Sequence, residues 1–457
     1  MTARFDVAEA IDRQPTSRRQ VIVIALIALC LVMDGYDLQA MGYAAPSILK
    51  DWGLTHASLG PVFSSGVFGM LIGSLLLSPL GDRFGRKPVI LFATLSFAVC
   101  MLGTCSATTT TELMLWRFVS GLGPGCILPN AMALASEFSP KQTRVTSMMV
   151  VGCGFGLGGT AGGALSAWLV PMFGWHAIFL FGGALSVVLV AVMVFVLPES
   201  VQFLTAKAKH GKASKTLHRV FPGIQVPNGA ELYVPAPDTH QKVSPLELLR
   251  EGRGIRTLTL WVINFANLLN MYLLANWLPT FMRDAGYDHS TAALAGSVLW
   301  GAGVAGNLLL GPAIDRFGFK AILTPVFLIA TIAIAAIGNV TVLASTLMTF
   351  AAVAMAGFSV IGGQPALNAL SATTYPTHLR STGVGWSLGV GRVGSIVGPL
   401  LCAWMINLEY SAALLFLAAA LPALISMIGM ASLRNLTPLK SKPDAQGETS
   451  FKHPRSV

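Results

Sequence analysis

Two acids three residues apart, Asp34 and Asp37 in Met33-Asp-Gly-Tyr-Asp-Leu38, stand inside a long apolar run, and two arginines, Arg117 and Arg392, stand inside two others. Residues at i and i+3 share one face of a helix. A charge at the centre of a bilayer costs about 2.5 to 3.5 kcal/mol on insertion scales, so such residues persist where they pair or where they move ions and protons. Two readings follow. Either the acids are structural partners of the arginines, or at least one of them carries a proton. Burial and a neighbouring like charge favour the neutral carboxyl while a nearby arginine opposes both, and a site combining all three exchanges a proton readily. All eight histidines fall in expected loops or tails, which leaves the carboxylates as the default carriers.

The four intramembrane charges sum to zero. An organic anion entering beside a carboxylate favours uptake of a proton, and by linkage the proton favours the anion. Arg392, near the centre of its run, is the better carboxylate partner because its planar fork binds bidentately. Arg117, nearer the end of its run, is suited to tuning an aspartate, to snorkelling or to anchoring a helix. Asn264, Asn267 and Asn270 recur at three-residue spacing, and Asn307, Gln364 and Asn368 are likewise intramembrane amides. Such groups bind ring hydroxyls or bridge helices. The candidate proton-coupling set is therefore Asp34, Asp37 and Arg117. The candidate substrate set is Arg392, Asp37, Asn267, Asn270, Gln364 and Asn368.

The elements that must position these residues follow from composition. With 54% hydrophobic and 11% charged residues over 457, and a mean hydropathy of +0.67, the chain requires a bilayer as solvent. Twelve apolar runs of about 20 residues begin near Val21, Leu59, Pro88, Leu113, Val145, Ala177, Thr257, Leu294, Ala321, Val342, Ser381 and Ala412. The stretch Ser78-Pro-Leu-Gly-Asp-Arg-Phe-Gly-Arg-Lys87 returns as Gly311-Pro-Ala-Ile-Asp-Arg-Phe-Gly-Phe-Lys320, 233 positions later. Pro140, Arg144, Gly158 and Gly162 match Pro376, Arg380, Gly394 and Gly398 at a constant offset of 236. The expected fold is an all-α membrane protein with twelve transmembrane helices in two six-helix halves related by a pseudo-two-fold axis, as in transporters built from repeats. The expected divisions are a tail over 1–19, a first half over 20–200, a basic linker over 201–254 with prolines that include Pro235, Pro237 and Pro245, a second half over 255–433 and a tail over 434–457.

Of the thirty Lys and Arg, only Lys50 and Arg283 fall on one side of this topology, Arg117 and Arg392 lie inside it, and the rest lie on the other side. The asymmetry predicts that both termini and the linker are cytoplasmic. The formal charge of +10 is then a membrane-face charge suited to anionic lipid rather than nucleic acid. The first apolar run is expected to serve as its own insertion signal rather than a cleaved leader.

Several patterns imply nothing here. Gly154-Phe-Gly156-Leu-Gly-Gly159 and Gly389-Val-Gly391-Arg-Val-Gly394 fit G-x-G-x-x-G but open no βαβ unit, and Gly385-Trp-Ser387-Leu-Gly389 fits a nucleophile elbow inside a membrane run. No phosphate-binding G-x-x-x-x-G-K-[ST] loop is present, so an energy source other than ATP is expected. The six cysteines, Cys30, Cys100, Cys105, Cys126, Cys153 and Cys402, read as packing residues, with no metal site and no cofactor. The glycines spaced by four in runs five and eleven read as close-packing seams.

Asp82-Arg-Phe-Gly-Arg-Lys87 and Arg117-Phe-Val-Ser-Gly-Leu-Gly123 resemble the loop and fourth-helix signatures of the major facilitator superfamily, with Ser78 a departure in the first copy and Phe319 in the second. Asp34-Gly-Tyr-Asp-Leu-Gln-Ala-Met-Gly-Tyr-Ala-Ala-Pro46, Asn276-Trp-Leu-Pro-Thr-Phe281 and Arg380-Ser-Thr-Gly-Val-Gly385 followed by Gly391-Arg392 are similar to the aromatic acid:proton symporter family. The resemblance implies a non-enzymatic, proton-coupled importer of benzoate-, hydroxybenzoate- or protocatechuate-type acids in a bacterial inner membrane, functional as a monomer. It also implies a gate formed by Asp82, Arg83, Arg86, Glu137, Arg144, Asp315, Arg316 and Arg380. A carrier of another organic anion and a transporter-like sensor are the alternatives.

Overall fold

The computed structural model describes residues 4–224, 231–234, 244–338, 345–376 and 379–433. Among them twelve helices are long and apolar enough to cross a membrane. They are α1 (Arg18–Trp52), α2 (His56–Leu77), α3 (Arg86–Thr104), α4 (Thr110–Glu137), α5 (Arg144–Phe173), α6 (His176–Val196), α7 (Gly254–Asp284), α8 (His289–Phe317), α9 (Phe319–Ile337), α10 (Thr346–Thr374), α11 (Arg380–Asn407) and α12 (Ala412–Ser432). The chain is a multi-pass membrane protein of two six-helix halves.

The ends of α1 show why it forms where it does. Ser17 and Gln20 close a capping box at its start, and Gly53, at φ 60°, ends it in the left-handed conformation that glycine adopts freely. Its 35 residues rise about 1.5 Å each, well over the roughly 30 Å of hydrocarbon they must cross. The side from which α1 starts is here called the basic side.

The glycine seams are occupied by neighbouring backbones. A side chain at Gly158 would begin 2.0 Å from the Val32 carbonyl oxygen, and one at Gly394 would begin 2.2 Å from that of Phe265. Thus α5 packs on α1 as α11 packs on α7. Val32 and Phe265 are 233 positions apart, the spacing of the repeated charged turn, so Asp34 and Asp37 of α1 occupy the places held in α7 by Asn267 and Asn270.

Three departures from the sequence reading have local causes. The linker region contains two helices, Val201–Ala206 and His210–Val220, whose apolar faces are buried, and Glu231–Tyr233 pairs in parallel with Arg4–Asp6. Among the described residues this short pair supplies the only strands. The tenth span begins at Thr346, and Val342, where its apolar run starts, lies outside the described residues, as do Pro235, Pro237, His240, His378 and the tail over 434–457 with His453. Finally, His56, His176, His210 and His289 open helices and His218 lies within one, rather than in loops.

The halves join along the side opposite the start of α1. His56 meets Asp284 at 3.1 Å, Ser166 Oγ lies 3.3 Å from His289 Nε2, and the hydroxyls of Ser290 and Ser297 donate to the carbonyls of Ala167 and Thr160. On the other seam Ser64 donates to the Ile396 carbonyl, and Phe63 meets Trp277 edge-on. Toward the basic side, Gly311, Gly385 and Gly389 have open space where a side chain would begin.

Candidate functional site

Asp37 is committed. Its Oδ1 accepts from Arg117 Nη1 at 2.9 Å, its Oδ2 accepts from the Ser120 hydroxyl at 2.6 Å, and Arg117 Nη2 also donates to its backbone carbonyl at 3.2 Å. Both charged side chains are buried, and Gly66 of α2 lies beside the guanidinium. A buried ion pair needs its remaining polar atoms satisfied to repay desolvation. Ser120 and the carbonyl supply that, so Arg117 is the aspartate's partner and not a snorkelling anchor.

Asp34, one turn earlier, is different. It is 2% exposed and its Oδ1 has no hydrogen-bond partner among the described residues. Asp37 lies three residues further along the same helical face. Arg392 itself donates to neutral groups, the Tyr272 hydroxyl at 3.0 Å and Met70 Sδ at 2.8 Å, and has no carboxylate within 4 Å among the described residues. One acid from the first half and one base from the second thus have no ionic contact among the described residues.

The amides divide into two groups. Asn267 donates to Gln364 Oε1 (2.7 Å) and to the Val360 carbonyl (3.0 Å), and Gln364 Nε2 donates to Asn264 and Asn368. Asn264 continues the chain to Ser387, and Ser387 to Ser371. This network ties α7 to α10 and α11 within the second half, the helix-bridging role. Asn270 is 1% exposed and neither of its amide atoms has a hydrogen-bond partner among the described residues, and Asn307 donates weakly to Cys153 Sγ across α8 and α5. The six cysteines are free.

Of the gate residues, Arg86 pairs with Glu137 and lies 3.7 Å from Asp82, and Glu137 also accepts from the Ser200 hydroxyl. Arg144 pairs with Asp12 and donates to the Ser136 carbonyl. All these contacts lie within the first half on its basic side. Arg83, Asp315, Arg316 and Arg380 are exposed, and the repeat shows in Arg83 and Arg316, which lie over the Phe84 and Phe317 rings at 5.3 and 5.2 Å. Sequence reading missed Ser120, Met70, Tyr272, Asp12, Ser200 and Glu199, the last of which accepts from the Arg86 and Lys87 amides. The offset of 233 sets Tyr272 against Gln39, an uncharged position that gave no signal of its own.

The sequence profile described as Major Facilitator Superfamily matches residues 27–386 and again 260–456. The chain is 37% identical over 431 residues to the 4-hydroxybenzoate transporter PcaK of Pseudomonas aeruginosa, covering 93% of this chain and 94% of that protein. It is 35% identical over 429 residues to the gallate transporter of Pseudomonas putida (94% and 95%) and 31% over 434 to the benzoate transport protein of Acinetobacter baylyi (94% and 92%). Among solved structures, a bacterial homologue of the human lysosomal transporter Spinster superposes with a TM-score of 0.70 at 16% identity, covering 91% of this chain and 97% of that one. The Escherichia coli xylose transporter XylE also superposes with a TM-score of 0.70, at 14% identity, covering 90% and 97%.

Proposed function

The chain belongs to the Major Facilitator Superfamily, whose members here are transporters and not enzymes, and from that premise we propose that it imports small aromatic carboxylates together with protons by alternating access. The relatives that bear aromatic-acid names support the substrate class. The observation that carries the coupling is the division of labour on α1: Asp37 is neutralised by Arg117, while among the described residues Asp34 keeps a buried carboxyl oxygen without a partner and Arg392 of the other half has no anionic partner.

In this reading Arg392 exchanges its contacts with Tyr272 and Met70 for the substrate carboxylate, a charge-assisted bond of about 1.5 to 3 kcal/mol. The new negative charge favours a proton on Asp34, and the pocket stays neutral. Asp37 then acts through Arg117, holding α1 to α4, rather than as a substrate ligand. Asn267, Gln364 and Asn368 shape the wall on the second half, while Asn270 keeps free hydrogen-bonding capacity.

The basic side is taken as cytoplasmic from the distribution of Lys and Arg, in a bacterial inner membrane with both termini inside. Packing of the halves on the opposite side then corresponds to an inward-facing state of a monomeric carrier. Closing the basic side would bring Asp315, Arg316 and Arg380 toward the Asp82, Arg83, Arg86, Glu137 and Arg144 cluster. Uptake into proteoliposomes, with pH difference and voltage imposed separately, tests the proposal. Accumulation of benzoate-type acids driven by an inward proton gradient supports it, and uptake indifferent to that gradient refutes the coupling.

A further inference from the structure

The seam between α5 and α8 carries polar groups that the transport reading leaves unused. Tyr43 of α1 donates to the Gly159 carbonyl at 2.7 Å and lies against Gly296 of α8, where a side chain would begin 2.5 Å from its ring. Because α1 and α8 run in opposite directions, one turn toward the basic side brings Gln39 on one helix and Trp300 on the other. Gly159 rests on the Trp300 indole, and Phe155 meets that indole edge-on at 5.5 Å. Gln39 and Trp300 are each 1% exposed, yet Gln39 Nε2 and Oε1 and Trp300 Nε1 have no hydrogen-bond partner among the described residues. Leaving a buried amide and an indole N–H unpaired is destabilising, and a partner that arrives with a ligand removes the penalty.

The repeat relates this seam to the one that holds Arg392. Gln39 is the counterpart of Tyr272, the residue that holds Arg392 on the α2–α11 seam. The pseudo-two-fold axis therefore sets a cationic group on one seam and an uncharged donor and acceptor set, walled by two aromatic rings, on the other. A benzoate-type acid has the matching polarity, an anionic end and a distal ring edge. Resting on the aromatic-acid reading, we propose that Gln39 and Trp300 bind a hydroxyl on the substrate ring, distal to the carboxylate, and so select hydroxylated over unsubstituted aromatic acids. Gln39 Oε1 accepts the phenolic proton, and Gln39 Nε2 or Trp300 Nε1 donates to the phenolic oxygen. A site built to bond a hydroxyl discriminates strongly against the analogue that lacks it, because the site's own polar groups are then stranded.

The test measures binding of 3-hydroxybenzoate, 4-hydroxybenzoate and benzoate to the purified full-length protein and to Gln39→Leu and Trp300→Phe variants. The unsubstituted protein should bind at least one hydroxybenzoate about tenfold or more tighter than benzoate. Gln39→Leu should bring that ratio to within about threefold, with benzoate affinity retained, and Trp300→Phe, which keeps the ring wall but removes the donor, should move it in the same direction. A ratio near one in the unsubstituted protein, a ratio unchanged in both variants, or equal loss of all three acids in Gln39→Leu would overturn the assignment. Failure of the unsubstituted protein to bind any of the acids would refute the aromatic-acid reading itself, and this inference with it.

Discussion

Replacing Asp37 by Asn separates the two acids of α1 by their effect on stability. The carboxylate holds Arg117 at 2.9 Å and Ser120 at 2.6 Å, with 4% and 2% of the two charged side chains exposed. Removing one charge of a buried pair strands the other, at about 3 to 5 kcal/mol. Asparagine keeps the shape and one acceptor, so the expected destabilisation of Asp37→Asn is about 3 kcal/mol, at the low end of that range. Arg117→Gln should be similarly harmful, while the double variant, with no buried charge left, should recover most of the loss and give a coupling energy of at least about 2 kcal/mol. Asp34→Asn removes a carboxyl oxygen that has no partner and should change stability by less than about 1 kcal/mol. Reversible unfolding in mixed detergent micelles measures all four. If Asp37→Asn unfolds with the unsubstituted protein, or if the two single losses simply add in the double variant, the division of labour is wrong.

Other expectations follow from the same geometry. Arg392→Ala should weaken carboxylate binding by roughly 10- to 150-fold while leaving binding of the corresponding uncharged amide unchanged, as read by isothermal titration. Asp82→Asn should abolish uptake while leaving membrane insertion intact, and normal uptake by that variant removes Asp82 from the gate. Gly158→Leu, which would drive a side chain into the Val32 carbonyl, should prevent the α1–α5 contact and yield aggregated protein in size-exclusion chromatography.

The fold was legible because the bilayer imposes it: twelve apolar runs, a repeated charged turn and two glycine seams determine topology before any contact is known. The intramembrane charges were equally visible, since a charge in hydrocarbon is conspicuous. Their partnerships were not. Asp34 and Asp37 have the same chemistry and share a face, and only the approach of α4 decides that Arg117 and Ser120 take one and leave the other. Tyr272 and Met70 carry no charge and fit any apolar helix, so their hold on Arg392 appears only when α2, α7 and α11 meet. The amides at three-residue spacing suggested one group, yet Asn267 is spent on Gln364 whereas Asn270 is not, because one faces α10 at the level of Gln364 and the other meets no hydrogen-bond partner among the described residues.

The pH dependence of anion affinity tests that partition from a different direction. If binding of the carboxylate at Arg392 places a proton on Asp34, the complex holds one proton more than the empty carrier over the range where free Asp34 is ionised. Affinity must then fall as pH rises, by at most about tenfold per pH unit for one proton, and level off on the acid side once free Asp34 is already protonated. Asp34→Asn fixes the uncharged form: its affinity should match the acid plateau of the unsubstituted protein, lose its pH slope, and support exchange of labelled for unlabelled substrate without gradient-driven accumulation. Arg392→Ala has the opposite signature, weak affinity at every pH. A pH slope that survives Asp34→Asn would place the coupled proton elsewhere. Asp37 would then be the remaining acid on that face, and its bond to Arg117 would have to open in each transport cycle.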